Sequence, residues 1–152
     1  DKIRRLKKRE PSGGLHFYTP DPEEATEQWL AEEGVSAGFP SPADDFKEVR
    51  ISLDKTLIKN KEATFYARVD GESMIEAGLD DGDLLVIDRS LEPKDGKIAV
   101  CFIDGNFTVK RLKVTGTEVM LMPENKNYKP ILVTEDNELL IWGIVTFVVK
   151  AV

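Results

Sequence analysis

From Val49 to the C-terminus the pattern of apolar and polar residues is that of β-strands. Val49, Ile51 and Leu53 alternate with polar neighbours, the period-two spacing that turns one face of a strand toward a core. The runs ATFYARVD, DLLVID, KIAVCFID, NFTVKRLKV, EVMLM and LLIWGIVTFVVK carry the pattern on. They are rich in Val, Ile, Phe and Thr, whose branched or flat side chains suit a pleated, half-buried surface. Asp104–Gly105–Asn106 is a hairpin turn between two of the runs, and Thr115–Gly116–Thr117 is a second turn. Short helices fit Asp54–Asn60 and Ser73–Ala77. The prediction is a mainly β fold, a small barrel-like or folded sheet.

The N-terminal part has a different texture. Residues 1–20, broken by Pro11, Gly13, Gly14 and Pro20, read as an irregular arm. DPEEATEQWLAEEG then predicts one short helix over Pro22–Glu33. Asp21 can cap it, Pro22 suits its first position, Glu24 completes a capping box and Gly34 stops it. A helix this short does not stand alone, so Trp29 and Leu30 should dock it on the body or on a partner. VSAGFPSPADD, Val35 to Asp45, reads as an exposed, strand-like linker. The residue before each of its prolines is pushed toward extended geometry. The expected organisation is an arm over residues 1–37 and a β-rich domain over residues 38–152.

Composition narrows the classes of function. A chain of 152 residues suits one ordinary domain plus an appendage. No apolar run approaches a membrane span and no signal-peptide pattern is present, so no membrane association is expected. The single cysteine, Cys101, excludes a disulfide within the chain and fits a reducing cytoplasm; in KIAVCFID it reads as a buried strand residue. With His16 the only histidine, no multi-ligand zinc site is expected, and no cofactor either. A net charge of −7 argues against direct DNA binding. The charge is uneven: Lys2, Arg4, Arg5, Lys7, Lys8 and Arg9 form a basic run, and Asp21–Glu33 is strongly acidic.

The candidate chemistry centres on GESMIEAGLDDGDLLVID, Gly71 to Asp88. Ser73 followed by Glu76 is a capping box, in which the serine hydroxyl accepts a backbone N–H and the glutamate reaches back. A serine at a helix start also sits beside free N–H groups that can stabilise an oxyanion, so cap and nucleophile both stand as readings. A nucleophile needs a base. His16 lies in the arm, which weakens a Ser–His–Asp reading. Lys110 is the other candidate, since burial lowers the pKa of an amine toward the working range. In NFTVKRLKV, Thr108, Lys110 and Leu112 share one face, and the Thr108 hydroxyl can orient the amine. The alternative is an ordinary strand lysine with its head in solvent.

Four segments in order, AGFPSPADDF, GESM with DGDLLVID, DGNFTVKRL and WGIVTFVVK, resemble the UmuD/LexA family of self-cleaving serine proteases. The resemblance runs from about Ala37 to the end. It implies a compact LexA/UmuD-type β domain with a Ser–Lys dyad: Ser73 as nucleophile, Lys110 as general base, and Ala37–Gly38 as the bond cut. It further implies a homodimer, activation by the RecA filament on single-stranded DNA in the SOS response, and service of the trimmed dimer to a UmuC-like Y-family translesion polymerase. Residues 1–36 match the family only in being an N-terminal arm. Their acidic helix is wrong for a DNA-reading helix, and they are too short for a repressor's DNA-binding domain. The rival readings are a non-enzymatic polymerase-binding subunit of the same fold, a LexA-like repressor, and a leader peptidase, which would need a membrane anchor.

Overall fold

The computed structural model describes residues 3–5, 15–20, 27–31, 37–38 and 48–152; for residues 3–5, 16, 27, 29–31, 48 and 49 it describes the backbone alone. The strands are β1 (Ile3–Arg5), β2 (Leu15–Pro20), β3 (Glu27–Ala31), β4 (Glu48–Ser52), β5 (Thr64–Val69), β6 (Leu84–Asp88), β7 (Ile98–Ile103), β8 (Asn106–Thr115), β9 (Glu118–Met122), β10 (Ile131–Val133) and β11 (Leu139–Val149). One short α-helix, α1, spans Leu53–Leu57, and 3₁₀ turns cover Lys61–Ala63 and Ile75–Ala77. The chain divides into two compact units, residues 1–21 with 60–152, and residues 22–59.

The larger unit is built on a nine-stranded sheet in the order β1-β2-β5-β6-β11-β7-β8-β9-β10. Every neighbouring pair is antiparallel. The mainly β expectation is met. The β7–β8 hairpin turns at Asp104 and Gly105, with φ of 49° and 86°; two successive positive φ values make the tight turn whose twist matches the flanking strands. The β8–β9 hairpin turns at Gly116 and Thr117, as the second turn signal predicted.

β11 organises the sheet. Its first half pairs with β7 and its second half with β6, and the register shifts between Ile141 and Gly143 and again between Val145 and Phe147. These irregularities bend the strand, so its two halves serve two cores. One core gathers Leu15, Ala67, Met74, Leu79, Leu85, Ile87, Val100 and Val109. The other gathers Ala99, Cys101, Ile103, Leu112, Leu121 and Ile144. Successive residues of β7 feed opposite cores, which is why KIAVCFID is nearly continuously apolar. At the first irregularity the Trp142 ring lies 4.7 Å from that of Phe17 and 5.2 Å from that of Phe65, centroid to centroid. The Arg89 guanidinium lies 4.4 Å from the Trp142 ring centroid, and its Nε donates to the Trp142 carbonyl.

Two expectations about the N-terminal part are corrected. Residues 15–20 are not irregular: β2 pairs with β5 from Leu15↔Val69 to Tyr18↔Tyr66, Leu15 is buried in the first core, and the Phe17 ring packs on those of Phe107 and Trp142. The signal was present as LHFYTP, a short alternating run between Gly14 and Pro20. Nor do the described residues of the expected helix over Pro22–Glu33 form one. Glu27–Ala31 is strand β3, paired with β4 from Glu27↔Ser52 to Ala31↔Glu48. A five-residue stretch gains little from helical propensity alone, whereas a partner with its own alternation, Val49 and Ile51, offers a ladder of backbone bonds. The capping signals at residues 21–24 and the side chains of Trp29 and Leu30 lie outside the described residues. So do most of the basic run at residues 2–9 and of the linker at residues 35–45.

Gly143 sits against the side chains at the end of β6. A Cβ built there would lie 2.5 Å from Ile87 Cγ2 and 3.3 Å from Arg89 Cγ. Gly143→Ala is therefore expected to lower the unfolding free energy by about 1–3 kcal/mol, the usual cost of overpacking. Urea denaturation checks this, and an unchanged midpoint would show that the bend yields freely.

Candidate active site

Ser73 lies in the connection from β5 to β6, residues 70–83, and that loop is anchored at both ends. The Val69 N–H donates to the Asp83 carbonyl and the Gly82 N–H to the Val69 carbonyl, both at 2.8 Å. The Gly71 N–H donates to the Asp81 carboxylate at 2.9 Å, and Lys150, beyond the end of β11, bonds the carboxylates of Asp80 and Asp83. Met74 and Leu79 reach down from the loop into the first core, at 2% and 1% exposure. The loop is therefore a packed element whose conformation is set by burial and by short bonds to its own ends.

The expected capping box does not form. The 3₁₀ turn begins at Ile75 with Met74 at its N-cap position, and no side chain caps it. The Glu76 N–H, which the Ser73 hydroxyl would have accepted, donates instead to the Glu124 carbonyl at 2.7 Å, while a Glu76 carboxylate oxygen accepts the Lys126 N–H at 3.3 Å. A backbone carbonyl in the turn after β9, distant in the chain, outcompetes the local side chain. The Ser73 hydroxyl is left free of the helix-capping role.

What the hydroxyl meets is Lys110. Lys110 Nζ lies 3.0 Å from Ser73 Oγ, 2.6 Å from Thr108 Oγ1 and 3.1 Å from the Val109 carbonyl oxygen. The alternation along NFTVKRLKV thus places Thr108 and Lys110 side by side as the pattern predicted. Lys110 is only 6% exposed, which sets aside the solvent-facing strand lysine. Burial lowers its pKa below the ordinary 10.5, because an ammonium loses its hydration there; the nearby Cys101 acts weakly in the opposite sense. No carboxylate among the described residues pairs with the amine to offset this. Cys101 is fully buried as expected, and burial pushes its thiol up to about 12, so it stays neutral.

Three partners suit the neutral amine. Two N–H bonds can go to the Val109 carbonyl and the Thr108 oxygen, which leaves the nitrogen lone pair for the Ser73 O–H. At 3.0 Å that is within the reach of direct proton transfer. Beside the pair is a small cavity of about 50 Å³, lined by Leu15, Val69 and Leu79 and by Ser73 and Thr108. Leu15 is the lining residue that sequence reasoning missed, because residues 1–20 were read as irregular. Ala37 and Gly38 belong to the other compact unit; both are exposed and in a bend, and Gly38 has φ of 131°, a conformation that favours glycine. His16 has its backbone in β2, opposite Arg68. Among the described residues no cluster of His, Cys, Asp or Glu could hold a metal ion, and no helix is long and apolar enough to cross a membrane.

The structure thus sets a buried strand lysine against a loop serine on an antiparallel sheet, and comparison with known proteins places the chain. The family model for Peptidase S24-like proteins matches residues 30–146, and the chain belongs to that family. Within it the chain is UmuD-like. It is 42% identical to Protein MucA of Salmonella typhimurium over 113 residues, covering 74% of this chain and 77% of that protein. It is 44% identical to Protein SamA of Salmonella typhimurium strain LT2 over 117 residues, covering 77% and 81%. It is 38% identical to Protein ImpA of Salmonella typhimurium over 144 residues, covering 92% and 89%, so that likeness extends into the N-terminal part as well.

The lowered pKa of Lys110 has a stability consequence with a definite sign. Between the folded pKa and 10.5 the unfolded chain binds a proton that the folded chain does not, so this group makes stability rise with pH across that window. Below the window the native state carries the full penalty of a buried ammonium. Lys110→Met should therefore be more stable than the parent at neutral pH, on the order of 1 kcal/mol. The advantage should shrink as pH approaches 10.5. Paired urea titrations at pH 7 and pH 10 check this; an advantage that grows with pH would contradict it.

Proposed function

We propose that this chain is a self-cleaving serine endopeptidase of the SOS DNA-damage response, with Ser73 as nucleophile, Lys110 as general base and Ala37–Gly38 as its target. The observation that carries the proposal is the Lys110 Nζ to Ser73 Oγ distance of 3.0 Å in a site that disfavours the ammonium. Membership of the Peptidase S24-like family and similarity to MucA, SamA and ImpA support it.

The chemistry follows from the geometry. Neutral Lys110 takes the Ser73 hydroxyl proton as Oγ attacks the Ala37 carbonyl carbon. The C–N bond to Gly38 then breaks, and Lys110 returns the proton to the departing amine. The Ala37 acyl group remains on Ser73 as an ester. Water attacks that ester, Lys110 accepts a proton from it and passes it to Oγ, and residues 1–37 leave with a free carboxylate. Thr108 and the Val109 carbonyl orient the amine throughout. A small alanine before the bond fits a tight site, and the glycine after it presents no Cβ to the attack. Because the substrate is tethered, its effective concentration is high and a slow dyad suffices for one turnover.

The same reading supplies partners. The RecA filament on single-stranded DNA acts as activator by binding the cleavable arrangement and raising its population. The trimmed homodimer, residues 38–152, serves a UmuC-like Y-family translesion polymerase in the cytoplasm. The cavity beside Ser73, with Leu15 in its wall, is the space the linker would have to reach.

Intact mass spectrometry after incubation at pH 10, for the parent, Ser73→Ala and Lys110→Ala, tests the proposal. The parent is expected to lose the mass of residues 1–37 and both variants to stay whole. The parent's rate should rise from pH 7 and level off before the ordinary lysine value of 10.5, since the base works only after losing its proton. A parent that stays whole at pH 10 and also with RecA, single-stranded DNA and nucleotide would refute self-cleavage. A rate that is flat from pH 7 to pH 10 would remove Lys110 from the role of base.

A further inference from the structure

The turn that follows β9 is fastened to the Ser73 loop more tightly than a surface connection requires. The Glu124 N–H donates to the Ser73 carbonyl at 2.8 Å, and the Glu76 N–H donates back to the Glu124 carbonyl at 2.7 Å. Asn125 Nδ2 donates to the Glu72 carbonyl at 2.8 Å. The carbonyls on either side of the Ser73 N–Cα–C unit, those of Glu72 and Ser73, are thus both held by adjacent residues of one turn.

Asn125 is built for this. It is 9% exposed, and both ends of its amide are used. Oδ1 accepts the Asn127 N–H at 3.0 Å, and the Asn125 carbonyl accepts the Tyr128 N–H at 3.0 Å, so the turn itself is closed. A backbone N–H can only donate, which assigns Oδ1 to that side and Nδ2 to the Glu72 carbonyl. The same turn is tied to the strand that carries the amine. Arg111, next to Lys110 on β8, donates from Nε to the Glu124 carboxylate at 2.5 Å and from a terminal nitrogen to the Gly96 carbonyl at 2.7 Å. The turn therefore braces the loop of one partner against the strand of the other.

We propose that Asn125 is a positioning residue for Ser73, and that the Glu124–Asn125 turn sets the Ser73 Oγ to Lys110 Nζ distance. This rests on the reading of Ser73 as nucleophile. The Arg111–Glu124 pair is half-exposed and contributes less, and less still at high salt. The buried amide is the side-chain member of the brace that stays out of water: without it the Glu72 carbonyl keeps only the Ile75 N–H, at 3.2 Å, and no partner from the turn.

The test uses the full chain in four forms: parent, Asn125→Asp, Asn125→Ala and, as a distant control, Asn137→Ala. Asn125→Asp keeps the acceptor that closes the turn and replaces the donor facing the Glu72 carbonyl with a charged carboxylate oxygen, while Asn125→Ala removes both without adding charge. Asn137 bonds Asp104 and Thr134 in an exposed turn remote from Ser73 in the chain. Two rates are read: self-cleavage at its high-pH plateau, where Lys110 is neutral in every variant, and covalent labelling of Ser73 by a small fluorophosphonate, which needs no linker. Both rates are expected to fall about 10- to 100-fold in both Asn125 variants, the scale of a misplacement near 1 Å. The pH midpoint of Asn125→Ala, which adds no charge, should stay at the parent's, and Asn137→Ala should match the parent.

Parental rates in Asn125→Asp would overturn the proposal. So would slowed cleavage with parental labelling, which would place Asn125 in linker docking, and so would loss of cooperative melting in both Asn125 variants, which would make its role structural. If the parent is labelled but does not cut itself, self-cleavage fails while the labelling arm still decides on Asn125. If the parent is neither cut nor labelled, the nucleophile reading falls and takes this proposal with it.

Discussion

The structure turns on one lysine amine held out of water. Lys110 stands in the middle of β8 between buried Val109 and Leu112, and its side chain is held out of water instead of reaching solvent as a surface lysine would. The same desolvation that makes the ammonium costly makes the neutral amine available as a base. Among the described residues the surroundings lack the usual remedy, a carboxylate partner, which would stabilise the charge and raise the pKa again. They offer instead a hydroxyl and a carbonyl, groups that accept N–H bonds from a neutral amine as readily as from a charged one. A fold selected for stability alone would place an apolar side chain here.

Holding a serine against that amine is a problem in long-range assembly. Ser73 and Lys110 are 37 residues apart, and Asn125 is 53 residues from the Glu72 carbonyl it bonds. No local propensity brings such groups together; the sheet does. β5 and β6 fix the ends of the Ser73 loop, β11 joins β6 to β7, and β7 carries β8 in register, with Ala99 opposite Lys110 and Cys101 opposite Thr108. The bends in β11 matter for this reason: they let one strand belong to both halves of the sheet, and the residue packed against the end of β6 is a glycine.

The elements that were legible in the sequence are those whose signal is carried by their own residues. Short apolar or alternating runs marked β5 to β9 and β11, and Asp-Gly and Thr-Gly-Thr marked the turns between β7, β8 and β9. The sharing of a face by Thr108 and Lys110 followed from the same period. What failed was local chemistry outbid by a distant partner. The Asp21–Glu24 capping signal pointed to a helix, yet Glu27–Ala31 found a strand to pair with. Ser73 and Glu76 had the spacing of a capping box, yet the Glu76 N–H found the Glu124 carbonyl. Leu15 was missed for a simpler reason: prolines and glycines on either side outweighed a short alternating run. The spacing of Ser73 alone could not separate cap from nucleophile, because both readings ask for a small hydroxyl beside free N–H groups.

That failure bears on control of the reaction. A serine used as a cap would have to give up a hydrogen bond before reacting, and the dyad would be assembled only on demand. Here the cap is absent and the 3.0 Å contact is present. If the pair acts as proposed, its assembly is not the step that is regulated. Control then falls on delivery of the linker to the site, whose wall includes Leu15 of β2. A pre-formed dyad with restricted access responds to anything that shifts the population of the open arrangement, with no change needed at the reacting atoms. On the proposed reading, alkaline pH and a protein activator would act on the reaction by different routes. One removes a proton from Lys110, the other admits the substrate, and their effects on the rate should multiply.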